Sequence, residues 1–185
     1  MNNNKKILLH VCCATCGAGC VMRLKECGFE EIVLFEYNPN IFPTEEHQKR
    51  CQDIRRLSEE MHLDFLSLSY DHEKWLKEAA SLEKEKEGGK RCDVCFGMRL
   101  RETAREAKRL GIPFITTTLS VSPHKNFDKI KEIGEKEAKR LGLEFYPENF
   151  KKKDGFKKSL ELSRGFHFYR QNYCGCEFSM KKNQK

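Results

Sequence analysis

The 185-residue chain contains no apolar run approaching the ~20 residues that cross a bilayer, so a membrane-spanning protein is not expected. Its first residues, Met1 to Lys6, are polar and lead directly into a strand pattern. They lack the apolar core of a signal peptide, and a cytoplasmic protein is expected. No internal repeat is visible. Nowhere does Gly-x-x-x-x-Gly-Lys-Ser/Thr occur, and residues 12–16 hold no glycine, so a phosphate-cradling loop is excluded. A positive excess is also missing from most of the chain. The formal net charge is +7, yet residues 1–149 carry twenty-five Lys/Arg against twenty-five Asp/Glu. The whole excess lies in residues 150–185, with ten basic residues against three acidic ones.

What is plentiful is cysteine. Ten cysteines are many for a chain expected in a reducing compartment, where structural disulfides are disfavoured and thiols more often bind metal or do redox chemistry. The apolar run Ile7 to Val11 stops at Cys12-Cys13-Ala14-Thr15-Cys16, where a helical pattern begins. In a parallel α/β sheet this is the carboxyl end of a strand, where ligands bind.

The pattern along the chain alternates strands and helices. Strands are expected at 5–11, 32–37, 65–70, 112–119 and 143–146, and helices at about 16–27, from Thr44, at 71–87, 90–110 and to about 141. Such alternation implies a parallel sheet with right-handed crossovers. Chemistry after the first and fourth strands suggests a five-stranded sheet of order 3-2-1-4-5, with its switch point between strands 1 and 4. The last forty residues read as a helical extension. The units are 1–149, an α/β domain carrying the thiols, and 150–185, a basic aromatic extension packed on it. Interleaved Phe156, Phe166, Phe168, Tyr169 and Tyr173 suit stacking on unpaired bases, so a nucleic acid is the first candidate partner.

Cys20, Cys27 and Cys51 fall at helical spacing among apolar residues and read as core. The others form three groups: Cys12-Cys13 with Cys16 nearby, Cys92-x-x-Cys95, and Cys174-Gly-Cys176. Two pairs from separate loops supply four thiolates, enough for zinc or for an iron–sulfur cluster. Adjacent cysteines are not a zinc knuckle, and Cys92-x-x-Cys95 does not directly follow a strand as a thioredoxin-type pair would. Cys174 and Cys176 are too close for an unstrained disulfide, which suits reversible redox chemistry; a tail pair without function, or ligands to an extra metal, are the alternatives. His10 reads as a buried strand histidine, and His124 as a candidate proton donor. Asp93 reads first as a helix cap, with metal binding or proton donation as the alternatives.

Leu8-Leu-His-Val-Cys-Cys-Ala-Thr-Cys16, Tyr37-Asn-Pro-Asn-Ile-Phe-Pro43, Arg91-Cys-Asp-Val-Cys95 with Arg99-Leu100, Thr116-Thr-Thr-Leu-Ser-Val-Ser-Pro-His-Lys125 and Tyr173-Cys-Gly-Cys176 together resemble the QueH type of epoxyqueuosine reductase. The resemblance implies a Rossmann-like (HUP-type) fold related to adenine-nucleotide α-hydrolases, with the ATP loop replaced by cysteines. It implies reductive removal of the epoxide oxygen of epoxyqueuosine at the wobble position of tRNA with a GUN anticodon, the last step of queuosine biosynthesis. By the family pattern Cys12, Cys13, Cys92 and Cys95 hold a [4Fe–4S] cluster, and Cys174 and Cys176 are the redox pair. An additional iron ion is admitted, with Cys16, Asp93, His10 and His124 as candidate ligands or acids. An electron donor is required and not identified. Neither ATP nor cobalamin is expected, and no membrane partner. Two other classes remain open: a tRNA sulfur-transfer enzyme of the same fold, and a zinc-stabilised RNA-binding module.

Overall fold

The computed structural model describes residues 5–152 and 154–180. Residues 1–4, 153 and 181–185, which fall within the expected units 1–149 and 150–185, lie outside the described residues. Five parallel strands form one sheet of order β3-β2-β1-β4-β5, as expected. They are β1 (Lys5–His10), β2 (Phe29–Glu36), β3 (Asp64–Ser67), β4 (Phe114–Thr117) and β5 (Glu144–Phe145). Ile7, Leu8 and Leu9 of β1 are fully buried on both faces, which is why the central strand reads as an unbroken apolar run. Register sets His10 of β1 beside Phe35 on one side and Thr117 on the other.

The helices are α1 (Ala14–Glu26), α2 (Thr44–Met61), α3 (His72–Ala79), α4 (Lys90–Arg109), α5 (Phe127–Lys139), α6 (Gly155–Gly165) and α7 (Glu177–Met180). One core, around Phe35, Trp75, Leu100 and Ile115, lies under α3 to α5; the other, around Leu9, Leu24, Ile54 and Leu57, lies under α1 and α2. From the expected extension, α6 packs along α1. Gly19 makes that approach close, since a Cβ there would sit 2.0 Å from Ser159 Oγ. Thr15 and Ser163 hydroxyls share a 2.9 Å hydrogen bond across the contact.

Several expectations are corrected. The helix expected over 71–87 ends at Ala79. The segment beyond, rich in Glu and Lys, has no apolar stripe to bury, and most helical stability comes from such burial. Instead it wraps the buried Arg91, whose Nη1 donates to the carbonyls of Leu82, Glu83 and Glu85 at 3.0, 3.1 and 2.6 Å. The fourth strand stops at Thr117, whose hydroxyl accepts from Leu119 N–H and starts a 3₁₀ turn, Thr118–Val121. The first helix begins at Ala14 rather than Cys16. Cys20 is fully buried as expected, whereas Cys27 and Cys51 are only half-buried. Phe168 is buried and stacks on Phe166 at 5.3 Å, so this pair packs the fold rather than offering open faces to bases.

Candidate metal centre

The corner after β1 lies against the turn after β4, because the two strands are neighbours. Cys12 is fixed there by one hydroxyl: its N–H donates to Thr118 Oγ1 at 3.1 Å, and that hydroxyl donates to Cys12 Sγ at 3.2 Å. Cys13 is the first residue before α1, and its Sγ accepts from Gln171 Nε2 at 3.2 Å. One helical turn brings Cys16 round to the same side. The sulfurs of Cys12, Cys13 and Cys16 all lie within 4.8 Å of one another. Of the three, Cys12 is the thiol whose ionised form is favoured. Hydrogen bonds from the Cys13 and Cys16 thiols hold it well below the usual thiol range, and Arg99 and Lys125 add to this. Cys16 is correspondingly pushed well up.

Cys92 and Cys95 sit in the first two turns of α4. Gly88 N–H donates to Cys92 Sγ at 3.1 Å. Burial pushes the Cys95 thiol up to about 12, although Arg99 Nη1 donates to its Sγ at 3.7 Å. Cys12, Cys13, Cys95 and Cys176 belong to one buried cluster, with Cys16 and Cys92 packed against it. Thus Cys12 and Cys13 form their tightest group with Cys16, and Cys92 and Cys95 face the same interior from α4.

The third thiol segment is clamped from both sides. Before it, the buried Arg50 of α2 donates to the carbonyls of Cys174 and Tyr173 at 3.2 and 3.4 Å, and pairs with Glu46 at 2.7 Å. After it, Glu177 accepts from Trp75 Nε1 at 3.2 Å and pairs with His72 Nε2 at 3.1 Å. Phe42 N–H donates to Gly175 O at 2.8 Å, and Tyr173 O–H donates to Phe42 O. Gly175 itself is at φ +128°, and a Cβ there would lie 3.1 Å from both Arg50 Nη1 and Ile41 Cγ1. Only glycine fits such a backbone without strain of order 1–3 kcal/mol. Gly175→Ala is therefore expected to keep the α4 and β1 thiols in place but loosen the Cys174–Cys176 segment. Limited proteolysis near the C-terminus should quicken and turnover fall about tenfold or more; unchanged turnover would show that the clamp is irrelevant to activity.

A crevice of about 470 Å³ opens over these sulfurs, with Cys12, Cys16 and Cys174 in its lining and Arg170, His124 and Lys125 among its polar groups. His124 is exposed on the rim. Asp93 does not cap α4; Gly89 occupies the cap position. Asp93 is half-buried in an adjoining small cavity with Cys92, His124, Lys125 and Cys174. His10 is fully buried, as expected for a strand histidine. Its Nδ1 lies 2.8 Å from Thr117 Oγ1, and its Nε2 lies 3.3 Å from both Tyr37 O and Arg99 Nε. Burial, then Arg99, lowers its pKa from 6.5 to about 3, which favours the neutral imidazole.

The donor set suits a soft metal group. Thiolates select zinc, copper(I) and iron–sulfur clusters. The sulfurs of Cys12, Cys13, Cys92 and Cys95 each receive a hydrogen bond from hydroxyl, amide, backbone N–H or guanidinium. Arg99 and Lys125 bring positive charge toward the negative charge that thiolate ligands carry. These residues therefore fit a thiolate-ligated group such as an iron–sulfur cluster. Arg99 and Thr118 stand within the quoted motifs but were given no role there, and Arg50 and Gln171 were not singled out. Arg99 had a signal, since it follows Cys95 by four residues and so shares its helix face.

Fold and site together define a parallel α/β protein whose switch-point crevice is built from thiols rather than for a phosphate. The model of the family described as epoxyqueuosine reductase QueH matches residues 7–182. An epoxyqueuosine reductase QueH of Streptococcus pyogenes serotype M1 is 35% identical over 181 residues, covering 95% of this chain and 70% of that protein. The Thermotoga maritima protein of the same description is 34% identical over 182 residues, covering 97% and 92%. The chain belongs to the epoxyqueuosine reductase QueH family, an oxidoreductase family of queuosine biosynthesis. Among solved structures, the U34-tRNA thiolase NcsA from Methanococcus maripaludis with its [4Fe-4S] cluster is similar with a TM-score of 0.60 and 14% identity, over 96% of this chain and 62% of that one. At that identity the likeness is one of fold.

Proposed function

We propose that the chain reduces epoxyqueuosine to queuosine in tRNA with a GUN anticodon, using a [4Fe–4S] cluster held by Cys12, Cys13, Cys92 and Cys95. The observation that carries this reading is the convergence of cysteines from β1–α1, from α4 and from the C-terminal segment on one crevice. Bound there, such a cluster supplies electrons one at a time. Cys174 and Cys176 are the redox pair. Two thiols passing to a disulfide release two electrons and two protons, which is what an epoxide needs to become an alkene and water. An external electron donor then returns the disulfide to the dithiol.

The remaining residues position and protonate. Lys125, half-buried at the crevice, offers a fixed positive charge to an oxygen that gains negative charge as its bonds to carbon break. His124, on the rim, gives that oxygen a proton, and Asp93 in the adjoining cavity is the second candidate acid. Cys16, grouped with Cys12 and Cys13, is the thiol available to an additional iron ion. Residues 150–185, with the chain's whole positive excess, act as the unit that faces tRNA while 1–149 carries the cluster. No helix among the described residues is long and apolar enough to cross a membrane, and the cytoplasm is the proposed compartment.

The test is anaerobic incubation of the reduced protein with tRNA containing epoxyqueuosine, followed by nucleoside mass analysis. Loss of one oxygen from that nucleoside is expected, and no conversion by cluster-loaded protein would contradict the reading. Binding of the same tRNA should weaken by roughly tenfold or more between low and moderate salt, because phosphate contacts release counterions. Binding that ignores salt would remove the basic extension from recognition.

A further inference from the structure

Arg99 is 2% exposed, and none of its hydrogen bonds ends on a carboxylate. Its Nε donates to the neutral His10, its Nη1 to Cys95 Sγ and its Nη2 to Asn38 Oδ1. A buried guanidinium without a counter-charge is costly, so this one needs negative charge from somewhere. A guanidinium keeps its proton at any physiological pH, and this one lies against a ligand sulfur, 3.7 Å from Cys95 Sγ.

A chain of buried groups holds it there. Asn38 Nδ2 donates to Val11 O at 2.9 Å and to Glu36 Oε1 at 2.8 Å. With both protons of that amide used, Oδ1 can only face Arg99. Glu36 is 1% exposed; its Oε1 also pairs with His47 Nε2 at 3.1 Å, and its Oε2 has no partner. The Glu36 carboxylate is thus one amide away from Arg99, close enough to offset part of its charge but not in contact with it.

We propose that Arg99 is the fixed counter-charge of the thiolate site, oriented by Asn38 and partly offset by Glu36, and that this pair sets the reduction potential of the bound cluster. The inference rests on the cluster reading above. Arg99 touches no substrate in this account; it acts through the sulfurs. A permanent positive charge and a hydrogen bond to a ligand sulfur both favour the reduced, more negative cluster. Removing the cation should lower the potential. Removing the distant carboxylate should raise it.

The experiment is a redox titration of the holoprotein, followed at the visible band, with iron and sulfide measured on the same samples. Arg99→Gln is expected to hold iron and to show a reduced-to-oxidised ratio at least tenfold lower at the wild-type midpoint, about 59 mV for a one-electron couple. Arg99→Lys should recover most of that shift. Glu36→Gln, which keeps the acceptor for Asn38 but loses the charge, should shift the ratio the other way by about threefold. Opposite signs from two neighbouring buried substitutions are not what simple loosening of the fold produces. If Arg99→Gln holds no iron, the sign of the Glu36→Gln shift decides. Potentials unmoved in iron-loaded variants, or Glu36→Gln moving downward, would overturn this proposal and leave the reductase reading standing. A wild type without iron would overturn both.

Discussion

Cys174→Ala and Cys176→Ala are each expected to keep iron and sulfide and to lose turnover of epoxyqueuosine in tRNA to background. The segment carrying these thiols is held by its backbone and flanking side chains as well as by the burial of Cys176. Arg50 grips its backbone from one side, and Glu177, held by Trp75 and His72, anchors it from the other. Removing either sulfur leaves those contacts in place, so the fold and the other thiols should persist. What disappears is the partner with which the remaining sulfur closes a disulfide, and with it the two-electron, two-proton step. A single-turnover assay with reduced variant protein measures this directly. Normal turnover in both variants would take the pair out of the mechanism and leave Gly175's close fit a matter of structure only.

The second large effect belongs to the ligands. Cys12→Ala and Cys95→Ala are each expected to bring iron from about four per chain to below about one after anaerobic reconstitution. Cys12 is fixed by Thr118 and Cys95 by the first turns of α4, so each ligand position is set by its own element. Cys16 is the one thiol near enough to substitute for Cys12, and a partial complement in Cys12→Ala would identify it as that substitute. Cys20→Ala is the control. Cys20 is buried on the inner face of α1 and packs as a small apolar residue, so the variant should keep its full iron. A full complement of iron and sulfide in both Cys12→Ala and Cys95→Ala would sink the ligand assignment.

Much of this architecture was legible in the residues. The unbroken apolar run of β1, the break at Cys12-Cys13 and the alternation that follows sufficed for a parallel sheet, its order and the position of the crevice. Element ends were less legible, because they are set by side chains that reach across the fold. Arg91 turns an expected helix into a loop by collecting three carbonyls, and Thr117 ends a strand early with one hydroxyl. Neither effect has a periodic signal. The thiols could be grouped by spacing, but the cations could not, since nothing local distinguishes Arg99 from the arginines at 101, 105 and 109 except its phase relative to Cys95. The clamp on Tyr173 to Cys176 was invisible for a similar reason. Its parts come from α2 and α3, more than ninety residues away along the chain. The aromatic residues of the extension looked like a stacking surface, whereas Phe168 is spent on the core, and Tyr169, 38% exposed, has Lys49 Nζ 5.8 Å over its ring.

The most direct test of the central claim is metal analysis of the anaerobically purified protein, with iron, sulfide and zinc measured together and a visible spectrum taken before and after dithionite. The account predicts about four irons and four sulfides per chain and a broad band that bleaches on reduction. Stoichiometric zinc with no visible band would contradict it, since four thiolates around zinc hold a fold together and carry no electrons.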